Sequence, residues 1–344
     1  MSHGPDRPPP GCSTEEFNAW FAAHHRHDIQ RSIQIEGVNS IRGLHYNRVS
    51  FITCCYNLGE SLSKLECRVH ALWDMFFQAA MNTAYLTPEH DRWVLDLLRI
   101  REWGYVNTDN TDHDGWELAQ TSGGGVLWAD LPFVVDDMIR LWLEHWAIIT
   151  TEQRANGARF LAKLATTGLK DYAMSPIFLH ILREALETPR PLVRSKEEQQ
   201  QQQSGTGVHS IEELIPAVLA VFYEAGMMVI NLCDQMWNDG ADERLGGGAT
   251  ELLGGGEALP PGFSPARWLF WLKRLDEIEQ QALTVEELGI MEHASRALTK
   301  MLGSVQNTET RVLSAWKEAG GEGFIQHEME YFAAHEMNDR EEFP

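Results

Sequence analysis

The sequence lacks the features of a secreted or membrane-spanning protein. Its five cysteines are odd in number and contain no C-x-x-C pair, so we expect reduced thiols and no disulfide framework. Residues 1–10 have no apolar core of the kind that a secretory signal needs. Apolar runs such as residues 225–233 stop well short of a bilayer span. We therefore expect a protein that is not secreted, with a cytoplasmic or nuclear location.

Basic residues are also scarce. Lys and Arg number 28 against 50 Asp and Glu, which gives a formal net charge of −22 with neutral histidines. Such a surface would on average repel a nucleic-acid backbone or an anionic lipid surface. The sequence therefore predicts no nucleic-acid partner and no membrane partner, and a basic protein is the partner that its charge would favour.

Local catalytic motifs are missing as well. The patterns G-x-S-x-G, H-E-x-x-H and G-x-x-x-x-G-K-[ST] do not occur, and no glycine triplet has the spacing of a dinucleotide fingerprint. No cofactor is predicted. The sequence leaves enzymatic activity open but favours a protein that is not an enzyme. Catalytic groups assembled from residues that are distant in sequence would leave no such motif.

The sequence does contain apolar residues spaced three or four apart, and recognisable helix N-cap signals precede them. Hydrophobic residues make up 43% of the chain and aromatic residues 10%, enough for a sizeable core. Ser13 and Thr284 each begin a capping-box pattern. Caps followed by proline occur at Thr87-Pro88, Ser175-Pro176 and Ser264-Pro265.

A stripe from Leu214 to Met236 predicts a long central helix that Ser210 could cap. Pro216 conflicts with that start, so the helix should either kink or begin nearer Ile215. Further helices are predicted near residues 36–57, 88–102, 132–148, 151–169, 176–187, 264–281, 284–302, 308–319 and 323–337. No convincing strand pattern appears. The predicted fold is all-α, a bundle of roughly ten or more helices.

The predicted organisation is a single all-helical domain over residues 13–338 with a disordered tail at 1–12 and a short tail at 339–344. A flexible insert at 190–209 contains a run of five glutamines, and a Gly-rich loop occupies 240–263. The composition does not change across the Gln-rich tract, so we interpret it as an excursion from one domain.

One segment approaches a calcium-loop pattern, with Asn110, Asp112 and Asp114 at its first, third and fifth positions and Gly115 at its sixth. Its twelfth position is Thr121, which cannot supply the bidentate carboxylate. A polar surface loop is the favoured interpretation, and these three residues are only weak candidates for a metal site.

Two other polar clusters also receive a structural interpretation. His24, His25, His27 and Asp28 are expected at the solvated end of the first helix, since one helical turn offers too few convergent metal ligands. Asp136-Asp137 invites comparison with class I terpene synthases, but Arg140 occupies the place of the third acid. We interpret that pair as acids that stabilise a helix N-terminus.

The tryptophans supply the candidate ligand-binding residues. Trp142 and Trp146 lie one helical turn apart, and Trp268 and Trp271 lie three residues apart. Large aromatic residues at this spacing usually belong to a core, yet each pair could form the wall of a pocket. These four side chains are the predicted pocket wall.

Five segments, taken in order, resemble a fungal family of uncharacterised all-helical proteins that are grouped as a domain of unknown function. They are Ala71-Leu-Trp73, Leu127-Trp-Ala-Asp-Leu-Pro132, Ala185-Leu-Glu187, Ile215-Pro-Ala217 with Glu224-Ala-Gly226, and Arg267-Trp-Leu-Phe-Trp271. The resemblance spans residues 65–281 and implies a fungal, intracellular, helical protein. Some such proteins are encoded beside biosynthetic genes. It implies no activity and no catalytic residue.

Two hypotheses from different classes follow. The leading one is a non-enzymatic interaction or accessory protein whose acidic surface engages a basic partner. The alternative is a small-molecule-binding protein or an enzyme with an apolar pocket between helices, accessory to fungal specialised metabolism.

Overall fold

The structure is a computed structural model that describes residues 12–108, 117–194, 209–238, 261–306 and 309–326. The chain forms two compact units, residues 1–146 and 147–344. The single domain over residues 13–338 stays a prediction. Most of the predicted insert and Gly-rich loop, nearly all of the N-terminal tail and the whole C-terminal tail lie outside the described residues.

The first unit is built around one central helix. Its described helices are α1 (Thr14–Glu36), α2 (Val38–Asn57), α3 (Leu62–Met81), α4 (Pro88–Glu102) and α5 (Val134–His145). The other four helices all pack against α3, in which every residue from Ala71 to Met81 is buried. Two short antiparallel strands, β1 (Asn107–Thr108) and β2 (Glu117–Leu118), follow α4.

The second unit is likewise arranged around a central helix. Its described helices are α6 (Thr151–Thr166), α7 (Ser175–Leu182), α8 (Ile211–Asp234), α9 (Pro265–Thr284), α10 (Leu288–Gln306) and α11 (Arg311–Glu318). One π-helical turn, Arg183–Glu187, continues α7, and a short 3-10 turn, Gly321–Phe324, follows α11. Helix α8 contacts all the other five helices of this unit. Eleven α-helices among the described residues confirm the all-α prediction.

Helix α8 is long and apolar enough to cross a membrane by length and composition alone. Within the unit, however, 67% of its apolar window is buried. That burial against neighbouring helices is typical of the core helix of a soluble protein, and it accounts for the apolar composition without a lipid phase.

Several predicted helix starts are confirmed. The Ser13 hydroxyl accepts the backbone N–H of Glu16 at 3.2 Å, and the Glu16 carboxylate accepts the N–H of Ser13 at 2.7 Å. Ser264 caps α9 by accepting the N–H of Arg267 at 3.1 Å. These contacts satisfy backbone donors that would otherwise have no partner in the first helical turn.

Two predicted caps are wrong. Thr284 is the last residue of α9, and its hydroxyl donates to the carbonyl of Gln280 at 2.8 Å. The apolar face of α9 continues through the buried Ala282, so the next helix begins only at Leu288. Ser175 lies inside the first turn of α7, and the N-cap position belongs to Met174.

Pro216 neither delays nor kinks its helix. Helix α8 begins at Ile211 and passes through the proline, and its departure from helical geometry lies at Ala225, with φ −120° and ψ 17°. The next residue, Gly226, faces α10 closely, since a Cβ there would lie 3.0 Å from the Ser304 hydroxyl oxygen. A Cβ at this position would require the Ser304 hydroxyl to move by a few tenths of an ångström, so glycine suits the close approach.

The segments that carry the family resemblance are joined in the fold by buried polar contacts. In the first unit, the indole N–H of Trp73 donates to the carbonyl of Pro132 at 2.8 Å. In the second unit, the indole N–H of Trp271 donates to the Glu187 carboxylate at 2.7 Å, and the Arg267 Nε lies 2.9 Å from the same oxygen. Burial raises the pKa of Glu187, and the neighbouring Arg267 opposes that rise.

The substitution Glu187→Gln should destabilise the second unit by about 3–5 kcal/mol, because Arg267 would become a buried cation without its counter-ion. Urea unfolding followed by circular dichroism measures this loss. Glu89→Gln removes the exposed partner of Arg92, at 3.2 Å, and should cost less than about 1 kcal/mol. Similar losses for the two variants would contradict the role of Glu187 as the counter-ion of the buried Arg267.

Candidate functional site

A polar cleft of about 460 Å³ opens in the first unit, where three helices meet. Its lining consists of Asn18, Ala22, His25 and Arg26 from α1, Ser63, Glu66, Cys67, His70, Ala71 and Asp74 from α3, and Asp137 and Arg140 from α5. The cleft is therefore wide enough for a small molecule and is lined by charged and polar groups of both signs.

Helical spacing places these side chains on shared faces. On α3, Cys67, His70, Ala71 and Asp74 are separated by three or four residues, which aligns them along one side of the helix. Asp137 and Arg140 are likewise one turn apart on α5. The site is thus a polar stripe on the central helix, flanked by two helices that are distant from it in sequence.

His70 and Asp137 form a short side-chain contact in the cleft. The Nδ1 of His70 lies 2.7 Å from an Asp137 carboxylate oxygen. The Asp137 side chain is only 4% exposed, whereas that of His70 is 42% exposed. The second Asp137 oxygen accepts a hydrogen bond from Arg140 at 3.0 Å. Asp137 is therefore held rigidly at the base of the cleft and His70 faces its opening.

This contact selects one tautomer of His70. An ionised carboxylate can only accept, so Nδ1 carries the proton and donates it to Asp137. In the neutral imidazole, the other ring nitrogen, Nε2, is then a lone-pair acceptor. Within the described part of the chain, no protein group forms a hydrogen bond with this nitrogen.

A strained backbone segment leads into α5 beside this pair. Trp128, Leu131 and Phe133 have φ values of 66°, 44° and 66°, in the region that favours glycine. Such strain persists only where surrounding contacts fix the chain. Here the Trp128 indole donates to the Thr53 hydroxyl at 2.9 Å, and the Pro132 carbonyl accepts from Trp73.

The strained segment places Phe133 against the histidine. The centroids of the Phe133 and His70 rings are 4.5 Å apart, and the Phe133 carbonyl accepts the backbone N–H of Asp137 at 2.8 Å. One residue therefore packs on the imidazole and also fixes the first turn of the helix that carries Asp137.

Arg26 borders the other side of the cleft with longer contacts. Its guanidinium lies 3.5 Å from Asp74 and 4.0 Å from Glu144, and its side chain is 40% exposed. Both distances are at or beyond the limit of a good hydrogen bond. Arg26 therefore keeps donor capacity for a molecule in the cleft.

His25 and Cys67 are neutral groups in this site. The Nε2–H of His25 donates to the Ala71 carbonyl at 2.7 Å. Burial, and next the positive charge of Arg48, lowers the pKa of His25 to about 3. Burial raises the pKa of the Cys67 thiol, which is opposite to the shift of a reactive cysteine.

The four tryptophans predicted to form a pocket wall lie elsewhere. Trp142 and Trp146 are buried in the first unit with ring centroids 5.1 Å apart, and Trp268 and Trp271 are buried in the second unit. None of the four belongs to the lining of the cleft. A ligand-binding role for them stays a prediction.

The weak metal candidates Asn110, Asp112 and Asp114 lie outside the described residues. Among the residues that are described, no group of three or more His, Cys, Asp or Glu side chains could hold a metal ion.

The prediction that the histidine cluster lies at the end of the first helix is wrong. Helix α1 continues to Glu36 because its inner face remains apolar, with Ile29 buried after the cluster. His27 and Asp28 are exposed and His25 is buried in the cleft. Asp136 and Asp137 do lie in the first turn of α5.

The neutral state of His25 makes the first unit sensitive to acid. An unfolded histidine binds a proton below about pH 6.5, whereas folded His25 binds one only near pH 3. Its contribution to stability is full above pH 6.5 and is lost as the pH falls toward 3. Between pH 7 and pH 5 the wild type should lose about 2 kcal/mol more than His25→Gln.

Urea unfolding at the two pH values measures this difference. His27→Gln, which changes an exposed histidine two residues away, should lose stability as the wild type does. An equal loss in His25→Gln and the wild type would show that the pKa of His25 does not differ between the folded and unfolded protein.

Comparisons with known proteins give one family and one curated relative. The family described as "Protein of unknown function (DUF3632)" matches residues 73–275, a span that includes Asp137 and Arg140. The "Oxopyrrolidines biosynthesis cluster protein G" of Penicillium oxalicum is 32% identical over 304 residues, covering 87% of this chain and 84% of that protein. No solved structure matches the chain.

Proposed function

The chain belongs to the DUF3632 family of proteins of unknown function, and on that premise we propose that it binds a small polar molecule in the cleft and serves fungal specialised metabolism as an accessory protein. The observation that carries this proposal is the cleft of about 460 Å³ between α1, α3 and α5. Its volume falls within the range of small-molecule sites, about 300–1,000 Å³.

The lining defines the kind of molecule. Arg26 offers donors, while the Asp74 carboxylate and the Nε2 of His70 offer acceptors. These groups would hydrogen-bond a polar ligand and would leave an apolar one with unpaired polar neighbours. The site therefore favours a polar ligand, in contrast to the apolar pocket expected from the sequence.

The relative supports the metabolic setting, since its name places that Penicillium protein in a biosynthesis cluster for oxopyrrolidines. The basic protein partner and the cytoplasmic location expected from composition stay predictions.

Two neighbouring alanines provide the test. Ala22 is exposed on α1 and lines the cleft, so Ala22→Trp should fill it without disturbing the core. Ala23 is exposed on the same helix but outside the lining, so Ala23→Trp is the matched control. Native mass spectrometry after incubation with a fungal metabolite extract should show a retained small molecule.

We expect retention by the wild type and Ala23→Trp, and at least about tenfold less by Ala22→Trp, which corresponds to about 1.4 kcal/mol of lost binding free energy. Retention of nothing by the wild type, or of the same molecule at equal occupancy by Ala22→Trp, would exclude a binding site in the cleft.

A further inference from the structure

We propose that His70 is a general base, positioned by Asp137, and that the protein moves a proton on the molecule bound in the cleft. This inference rests on the proposed function, because the substrate must occupy the cleft. The substrate class is a small polar molecule with an acidic C–H next to a carbonyl. The reaction class is an isomerisation by proton transfer.

Asp137 and Arg140 together position the His70 imidazole. Asp137 accepts the Nδ1 proton at 2.7 Å and is itself fixed by Arg140 at 3.0 Å. A buried carboxylate in this position holds a histidine in one tautomer and stabilises the imidazolium that forms when Nε2 takes a proton. This arrangement is more than a surface ion pair, since the Asp137 side chain is 4% exposed.

His70 is also accessible to a molecule in the cleft. Nε2 belongs to a half-exposed side chain that lines the cleft, and no described protein group bonds to it. The Phe133 ring packs on the imidazole at 4.5 Å between centroids and limits its rotation. The lone pair is thus held in one direction and can be reached by a molecule in the cleft.

Proton removal also requires a group that stabilises the negative charge on the substrate. Removal of a proton next to a carbonyl leaves an enolate, which needs a cation or several donors nearby. Arg26 lines the same cleft and makes contacts of only 3.5 and 4.0 Å with its acidic neighbours. Its guanidinium can therefore turn part of its donor capacity to the enolate oxygen.

The chemistry balances without a further reactant. The substrate proton moves to Nε2, and the electron pair of the broken C–H bond stays on the substrate as the enolate. His70 then returns the proton to a different atom of the same molecule. Neither His25, whose Nε2–H is bonded to Ala71, nor the protonated thiol of Cys67 competes for the proton.

A nitrobenzisoxazole serves as the probe. A base removes its ring C–H proton, that electron pair forms the nitrile, and the N–O bond breaks to release a coloured cyanonitrophenolate. The full-length protein should convert the probe with saturable kinetics. His70→Ala should lower kcat at least about 100-fold, the range expected for loss of a general base.

His27→Ala is the matched control, because His27 is exposed on α1 and outside the lining. It should stay within about twofold of the wild type, the scatter expected of a change remote from the site. Free imidazole should restore part of the lost rate in His70→Ala, which a folding defect would not permit.

Asp137→Asn tests the positioning role separately. The amide would donate to Nδ1, so the ring proton would move to Nε2 and the base would be lost. We expect kcat to fall at least about tenfold while KM changes by less than about twofold. Equal effects on kcat and KM, or none, would contradict the role of Asp137.

Ala22→Trp separates failure of this inference from failure of the proposed function. Saturable binding of the probe that Ala22→Trp abolishes, without turnover above the His70→Ala level, would overturn the general base and leave the binding site intact. Turnover that Ala22→Trp and His70→Ala leave unchanged would also overturn the inference.

Acylation by diethyl pyrocarbonate tests the base independently of probe binding. Peptide mapping should show His70 acylated faster than His27 in the wild type, and several-fold slower in Asp137→Asn, where Nε2 carries the proton. Acylation of His70 that is as fast in Asp137→Asn as in the wild type would overturn the inference.

Discussion

The hydrogen bond from the Trp73 indole to the Pro132 carbonyl is the contact on which the first unit depends. At 2.8 Å and fully buried, it attaches the central helix α3 to the segment that leads into α5. That segment contains three non-glycine residues in the left-handed region, a conformation that costs about 1–3 kcal/mol per residue. A buried carbonyl without this donor would add a further penalty. The bond therefore helps to hold the strained conformation in place.

The cleft is a consequence of this attachment. Once Pro132 is fixed, Phe133 lies against His70 and α5 begins with Asp137 directed at the same imidazole. The polar stripe of α3 then lies between α1 and α5, and the space that these helices leave beside it is the cleft. Strain in the backbone and an accessible lone pair occur together here, as is common at binding and catalytic sites.

The second unit contains buried charged groups that are held by neighbouring polar side chains. Glu187, in the π-helical turn, is surrounded by Trp271, Arg267 and Arg183. At a second cluster, burial and then Arg154 lower the pKa of His209 to about 4, while Glu213 opposes that shift. The guanidinium of Arg267 is thus paired with the Glu187 carboxylate, and that of Arg154 donates to the carbonyls of Glu213 and Ile149.

Local signals in the sequence predicted the helices well because they act over short distances. Residues 88–102 match α4 at both ends, and the Ser13 cap has the expected hydrogen bonds. Thr284 shows the limit of such signals, since its apolar neighbours extend α9 past a suitable capping pattern. The family segments also indicated real packing, because Trp73 meets Pro132 and Glu187 meets Trp271.

The candidate site could not be predicted in the same way, because its groups come from three helices separated by more than a local pattern can connect. The prediction that Asp137 lies in the first turn of a helix is confirmed. Nothing nearby in the sequence, however, indicated that Asp137 contacts His70. The usable signal was the spacing of Cys67, His70 and Asp74 along one side of a helix whose C-terminal half is buried. Burying a polar stripe is costly unless partners or a ligand satisfy it. The cleft provides for both, since Asp137 is the partner of Nδ1 and the half-exposed His70 ring belongs to the lining of the space that a ligand would fill.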